Sequence, residues 1–386
     1  MLREKKSILR DMNDDKIEME VEESEDLYGK GYNPVQKPYN PLDVDIIQQP
    51  LALRNIFDRL ENNEIVLDPD FQRNGNLWSI KQQSRLIESL LIRIPLPAFY
   101  FDSSKNEDWT VVDGLQRLTA LYNFVVRNLN DPQKLKLEGM EYLDLNGKFY
   151  EELPRTMQRR LQEQNIFAYI IRPGTPDKVK TSIFERINTG GLSLNAAEIR
   201  NSVYRGPAAT AIKDMAESVE FVNATRGKVS PKRMLDREFA ARFAAFYLQG
   251  YEKYSGNMEE YISDGMGVLK ESSQSTIERM IRKFKKSMIL SESVFGEYAF
   301  RKYIQNKNGK WIFGPINKAL FECVSVCFAS IDSKKREYIA ENKEVFFSEY
   351  KKLFEGIFFS SIKNATGTEE HVRIRYQELN KFIDNF

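Results

Sequence analysis

The sequence predicts an α+β N-terminal part, a small mixed β-sheet with flanking helices, followed by an all-α C-terminal domain. Three observations lead there. Between Val44 and about residue 195, short runs rich in Phe, Tyr, Val and Ile alternate with stretches of three- and four-residue apolar spacing. Beyond 195 the helical spacing is nearly continuous, and Gly and Pro clusters are few. Residues 1–40 show neither pattern, and GKGYNPVQKPYNP adds turn and extended residues. The expected organisation is an acidic flexible tail (1–40), an α+β domain (41–195) and a helical domain (196–386), with no internal repeat.

The elements follow in order. Ser79-Ile80-Lys81-Gln82 is a capping box, and Leu86, Ile87, Leu90, Leu91 and Ile94 recur at helical spacing behind it. That helix is expected to run to about Arg93, where Pro95 and Pro97 stop it. PAFYF and DWTVVD read as two strands joined by a polar loop. A helix is expected from Gln116 to about Val126, with Leu118, Leu121, Tyr122 and Val125 on one side. Strands are expected around 140–150 and 166–172, with a helix from Pro154 to Gln164 between them. A helix from Asp177 to about Asn188 ends in Thr189-Gly190-Gly191, and Asn195-Ala196-Ala197-Glu198 starts another. Further helices are expected at 207–222, 235–250, 257–289, 315–331, 334–361 and 369–384.

Composition narrows the function classes. With 386 residues and 41% hydrophobic content the chain can bury a sizeable core. No apolar run approaches the length of a membrane span, and MLREKKSILRDMNDD lacks the apolar stretch of a signal peptide, so cytoplasm is expected and no membrane partner. Cys323 and Cys327 sit four apart in an apolar run, which reads as core packing. The net charge of +1 is unevenly spread: −8 over residues 11–26, +3 over 1–10 and +6 over the rest. A mildly basic body behind an acidic tail suits nucleic-acid contact without demanding it.

The stretch VVDGLQRLTAL places polar residues between a strand and a helix. N–H groups at a helix start lack intrahelical partners and, with the helix dipole, attract anions. Gly114 permits a tight turn, Arg117 offers a bidentate phosphate fork, and Asp113 suits a ribose, a water or hydrated Mg²⁺. A plain strand–turn–helix with a solvated Arg is the simpler alternative. Three other clusters accompany it. DPDFQRNGNLWS carries Asp70, Gln72, Arg73 and Trp78. FERINTGG carries Arg186 and Asn188, with Gly190-Gly191 as either an anion nest or an ordinary helix stop. AAEIRNSVYRG carries Glu198, Arg200 and Asn201.

Together FQRNGNLWSIKQQSRLIESLLIRIPLPAFYF, VVDGLQRLTALYNF and FERINTGGLSLNAAEIRN resemble the ParB/sulfiredoxin-like DGQQR domain family. That domain forms the GmrS part of GmrSD-type modification-dependent restriction enzymes and occurs in related anti-phage proteins. VSPKRMLDREFAARFAAFYL resembles the helical segment that follows, so the likeness spans roughly 45–330. The resemblance implies a ParB/sulfiredoxin-like sheet that binds, and often hydrolyses, a nucleoside triphosphate, coupled to sensing or cutting foreign DNA. It assigns the phosphate site to Asp113, Gly114, Gln116 and Arg117. By the same resemblance Gln72 and Arg73 take the family's F-Q-R position, which faces the same pocket, and Arg186, Asn188, Thr189, Gly190 and Gly191 take its N-T-G-G position, all as nucleotide-binding candidates. Glu88 matches the family's helix acid, a candidate with Asp113 for Mg²⁺ or water, and Arg73 and Gln116 join them as candidate catalytic residues. Leu115 departs from the family's Gln, exchanging an amide for an alkyl group without hydrogen-bonding capacity. Many relatives also carry a histidine-dependent HNH nuclease, which the single His371 rules out in this chain.

Two basic stretches lie in the helical half. In TRGKVSPKRMLDREFAAR, Arg233, Asp236, Glu238 and Arg242 read as an internal ion-pair set that holds the helical half against the α+β domain, with phosphate-backbone contact as the alternative. In ERMIRKFKKS, Arg279, Arg282, Lys283, Lys285 and Lys286 read as DNA-backbone contacts, with a solvated helix face as the alternative. The leading expectation is an NTP-binding, NTP-hydrolysing restriction-type protein acting on DNA. A non-catalytic adaptor that recruits a separate nuclease or defence-system subunit is the second. A metal-dependent nickase using Asp113, Glu88 and Asp70 is the third. A homo-oligomer is left open.

Overall fold

The computed structural model describes residues 40, 43–67, 78–105, 108–187, 195–305 and 309–386. Gln72, Arg73, Asp70, Asn188, Thr189, Gly190 and Gly191 lie outside the described residues. The chain divides into two compact units, with the boundary between Val203 and Tyr204. The capped helix beginning at Ala196 therefore closes the first unit rather than opening the second.

In the first unit the described strands form one mixed sheet in the order β1-β5-β3-β4-β2. They are β1 (Ile46–Ala52), β2 (Ile65–Val66), β3 (Phe99–Lys105), β4 (Asp108–Asp113) and β5 (Asn165–Ile171). β1 runs antiparallel to β5, β5 parallel to β3, and β3 antiparallel to β4. β1 and the helix behind it, α1 (Leu53–Glu61), carry no strong turn punctuation in the sequence. Pro50 sits inside β1, which its position at the sheet edge allows, because an edge strand can spare one ladder donor.

Period-two alternation sorts the sheet into two faces. Phe99, Phe101, Ile166, Ala168 and Ile170 point into the core with Leu53, Ile56 and Phe57 of α1. Leu86, Ile87, Leu90 and Leu91 of α2 (Ile80–Leu91) fill the same core. The Ser79 capping box is formed in both directions: Ser79 Oγ accepts from the Gln82 N–H, and Gln82 Oε1 accepts from the Ser79 N–H at 2.9 Å. α2 ends two residues before the expected Arg93, which turns left-handed at φ 66° before the prolines.

The strand expected around 140–150 is not one. The Glu88 carboxylate gathers the N–H groups of Glu141, Tyr142 and Leu143, and Leu137 and Lys148 bond to each other within the loop. With those donors taken by a side chain, no ladder partner is left for them. α4 (Arg155–Glu163), α5 (Asp177–Ile187) and α6 (Ala196–Val203) follow the predicted positions, α3 (Leu115–Leu121) being described below. Asn195 and Glu198 cap α6 reciprocally, at 2.9 and 2.7 Å.

The second unit is mostly helical: α7 (Pro207–Ala216), α8 (Val219–Ala224), α9 (Leu235–Gln249), α10 (Met258–Lys270), α11 (Gln274–Phe295), α12 (Lys318–Ser330), α13 (Ser333–Glu341), α14 (Lys343–Lys352), α15 (Ile357–Lys363) and α16 (Glu369–Asn385). The expected 257–289 helix is two, the first ending at Lys270 and the second capped by Ser273. Residues 334–361 break at Asn342 and Gly356. An antiparallel hairpin, β6 (Arg301–Gln305) and β7 (Trp311–Ile316), departs from an all-helical unit. Phe221, Phe239, Phe243, Phe284 and Phe321 meet edge-to-face and stacked at the centre. Gly265 lets α10 approach α9 closely, since a Cβ there would meet Ala245 Cα at 2.6 Å.

A buried four-residue network crosses this core. Glu322 of α12 accepts from Arg375 of α16 and from Arg242 of α9, and Arg242 also donates to Glu238 at 3.0 Å. Two cations and two anions balance, so each buried charge has a partner. Glu238 and Arg242 are thus an internal pair, and the partners shown for them lie within the helical unit. Burial pushes the Asp236 carboxyl up. Cys323 and Cys327 are buried free thiols in α12. Among the described residues no helix is long and apolar enough to cross a membrane.

Candidate functional site

β4 ends at Asp113, Gly114 turns left-handed at φ 99°, and α3 begins at Leu115. The glycine is required twice. A side chain would strain that φ, and its Cβ would lie 2.5 Å from Phe99 Cδ1. The turn is therefore pressed onto the core strand β3. Past Leu121 the chain widens into a π-type turn, Tyr122–Val126, in which Asn123 receives from Arg127 and donates to Gln83.

Arg117 points inward. Its guanidinium lies 4.3 Å above the Phe99 ring and donates to Asp113 Oδ2 at 2.8 Å, to Ala98 O at 3.1 Å and to Pro97 O. It is 9% exposed, and burial pulls the guanidinium below its ordinary range while Asp113 opposes that pull. The expected phosphate fork is thus engaged as an internal clamp. It closes the turn onto the segment that leads into β3.

Glu88 differs from its expected role as a metal or water ligand. Burial alone would favour its neutral form. Three backbone N–H donors, with help from Arg85, outweigh that and hold the carboxyl below the usual glutamate range. Its oxygens are occupied at 2.7 to 3.0 Å. Among the described residues no three His, Cys, Asp or Glu side chains cluster to hold a metal.

Gln116 Oε1 accepts from the Trp78 N–H at 3.1 Å, and Gln83 Nε2 donates to Trp78 O at 2.8 Å. The chain leaving the 68–77 stretch is thereby pinned beside the Asp113 turn. Leu115 packs half-buried on the core, which accounts for an alkyl group there. Arg186 is exposed in the last turn of α5, next to the undescribed 188–194 stretch.

Sequence spacing did not single out the row that crosses the sheet through Asp113. Gln48 pairs with Tyr169, Tyr169 with Tyr100, and Tyr100 with Asp113. Cross-strand partners share a face, so these side chains line the face opposite the core. The two tyrosine rings stack at 4.7 Å and 12° and are half-buried. Burial, then Tyr169 and Asp113, push the Tyr100 hydroxyl up. Further along this face, Asp102 and Lys180 of α5 form a buried ion pair at 3.3 Å. The signal available beforehand was the alternation in FYFD and FAYI, whose second-face members are aromatic.

In the helical unit, Arg279, Arg282 and Lys286 are exposed on α11 and make no ion pair among the described residues. Lys285 is turned aside to Glu220 of α8, at 3.7 Å. Lys283 donates to Ile331 O at 3.5 Å. Burial, then Arg336 and Lys286, pull its amine below the ordinary lysine range.

No curated protein and no solved structure matches the chain. Residues 53–205 match the family model of the GmrSD restriction endonuclease, N-terminal domain.

Proposed function

We propose that the first unit binds a nucleoside triphosphate, with Mg²⁺, at the Asp113–Arg117 turn, and turns it over as part of a restriction-type, anti-phage action on DNA. The observation that carries the reading is the Asp113 row. An acidic residue at a glycine turn shares one sheet face with a stacked tyrosine pair, which offers a carboxylate for a ribose or hydrated metal beside an aromatic platform for a base. The backbone at Gly114–Gln116 approaches the phosphates, while Arg117 fixes the turn's shape. With Arg117 and Glu88 engaged internally, neutralising developing charge falls to Arg73, which the sequence motif supplies. Mg²⁺ would supply charge neutralisation on the phosphates. Arg279, Arg282, Lys283 and Lys286 serve DNA-backbone contact.

A second reading, an adaptor that binds nucleotide without turnover and recruits a separate nuclease, is favoured by Leu115 lying against the core. The nickase reading is less favoured, since both Glu88 oxygens accept N–H groups of the 141–143 loop. Phosphate release from ATP, GTP, CTP and UTP with Mg²⁺, with and without DNA, tests the proposal beside Arg73→Ala. Turnover lost in a stably folded Arg73→Ala variant supports hydrolysis. Binding without turnover selects the adaptor. Absence of both discards the nucleotide reading.

A further inference from the structure

Cations on protein surfaces are ordinarily interleaved with carboxylates, and a like-charge cluster costs energy unless an anion visits it. On α11, Arg279, Arg282, Lys283 and Lys286 follow the spacing of one helix face, a stripe about 10 Å long. The stripe does not end at the helix edge. α13 begins SKKRE, and its Arg336 donates to the same Ile331 carbonyl as Lys283, at 3.0 Å.

That carbonyl closes α12, where the helix dipole leaves partial negative charge. One helix terminus therefore holds two cations on one carbonyl, and Arg336 lowers the preference of Lys283 for charge more than Asp332 restores it. The buried Nε of Arg336 has no hydrogen-bond partner among the described residues. Asp332 is the nearby acid, and its side chain is occupied capping Lys335 N at 2.8 Å. Lys334 and Lys335 adjoin on the first turn of α13, with Lys335 reaching only a carbonyl, Asp384 O.

We propose that α11 and α13 together form a docking surface for the phosphate backbone of duplex DNA, with Lys283 and Arg336 at its centre and Arg282, Lys286, Lys334 and Lys335 at its margins. This rests on the reading that the chain acts on DNA and extends it to a second helix that the sequence motifs did not include. Backbone contact of this kind is independent of base sequence and depends strongly on salt. Lys285, held by Glu220, stands outside the surface.

The test uses the full chain and a fluorescein-labelled duplex of random sequence, titrated by anisotropy at several NaCl concentrations. Arg282→Gln/Lys286→Gln and Lys334→Gln/Lys335→Gln should each weaken binding about ten-fold and reduce the steepness of log K against log salt by roughly 1–2. Lys285→Gln should change neither. Thermal melts establish that each variant is folded. If the α13 pair leaves both affinity and slope unchanged, the surface does not extend to α13 and the proposal fails. If poly-glutamate binds the wild-type chain more tightly than DNA and these variants abolish only that binding, the surface takes an acidic protein segment and the proposal fails likewise. Phosphate release without DNA should be unaffected in Lys334→Gln/Lys335→Gln and in Lys285→Gln, so loss of the nucleotide reading and loss of this one are separately visible.

Discussion

Arg117 and Asp113 form an ion pair across the Gly114 turn, with the guanidinium seated on the Phe99 ring. One side chain thus joins the strand end, the helix start and the core. Arg117→Ala should cost about 3 kcal/mol, because it strands two carbonyls and a carboxylate at once. Arg117→Lys should recover little, since an ammonium cannot reproduce the planar fork. Urea unfolding reads this directly. A variant with wild-type stability and only weaker nucleotide binding would mean the arginine serves ligand rather than fold.

Gly114→Ala combines an unfavourable φ with a 2.5 Å approach to Phe99. The expected loss is about 2–4 kcal/mol. The smaller neighbour in a Gly114→Ala/Phe99→Leu double variant should relieve part of the clash. A purely additive double variant would contradict the packing account.

The Glu88 carboxylate is depressed in the folded state, so its contribution is full above the unfolded value of about 4.3 and is lost as pH falls through the lower folded value. Glu88→Gln should be less stable at neutral pH by about 1–3 kcal/mol. The gap should narrow as the solution is acidified below the ordinary glutamate range. An unchanging gap between pH 7 and pH 3 would argue that the 141–143 loop does not depend on the charge.

Glu322→Ala leaves Arg375 and Arg242 buried without their shared anion, a loss of about 3–5 kcal/mol. Adding Arg375→Met should cost much less than a second independent loss. Thermal melting of the two single variants and the double variant measures that coupling.

Tyr169→Ala should weaken nucleotide binding by about 1–3 kcal/mol if a base stacks on the Tyr100 pair. Titration with a fluorescent nucleotide checks this. Equal affinity in a folded variant would leave the pair as sheet packing alone.

Local signals carried most of what the sequence revealed. The Ser79 box, the Asn195 box and the prolines after α2 place helix ends because cap and breaker chemistry acts within four residues. The Asp113–Gly114 turn was legible for the same reason. The roles of Glu88 and Arg117 were not. Both residue types suit a ligand, and only the fold brings Glu88 to the amides of Tyr142 and Leu143, or Arg117 to the carbonyl of Ala98. β1 was missed because IIQQPLA alternates weakly and holds a proline, and its pairing depends on β5 far along the chain. The Glu322–Arg375 pair joins a lone acid on an apolar helix to one of many charges on a polar one, and nothing local links the two.

Ile46 finds its partner only in Ile171. During synthesis at about 5–20 residues per second, β1 would leave the ribosome roughly 6–25 s before β5 exists to receive it. For that interval its apolar residues Ile46, Ile47 and Leu51 have no ladder, and any other nascent strand is a competitor. Pro50, which removes one donor from the middle of the segment, makes the waiting strand a poor template for mispairing, so the residue that hid β1 in the sequence also guards it on the way to the fold.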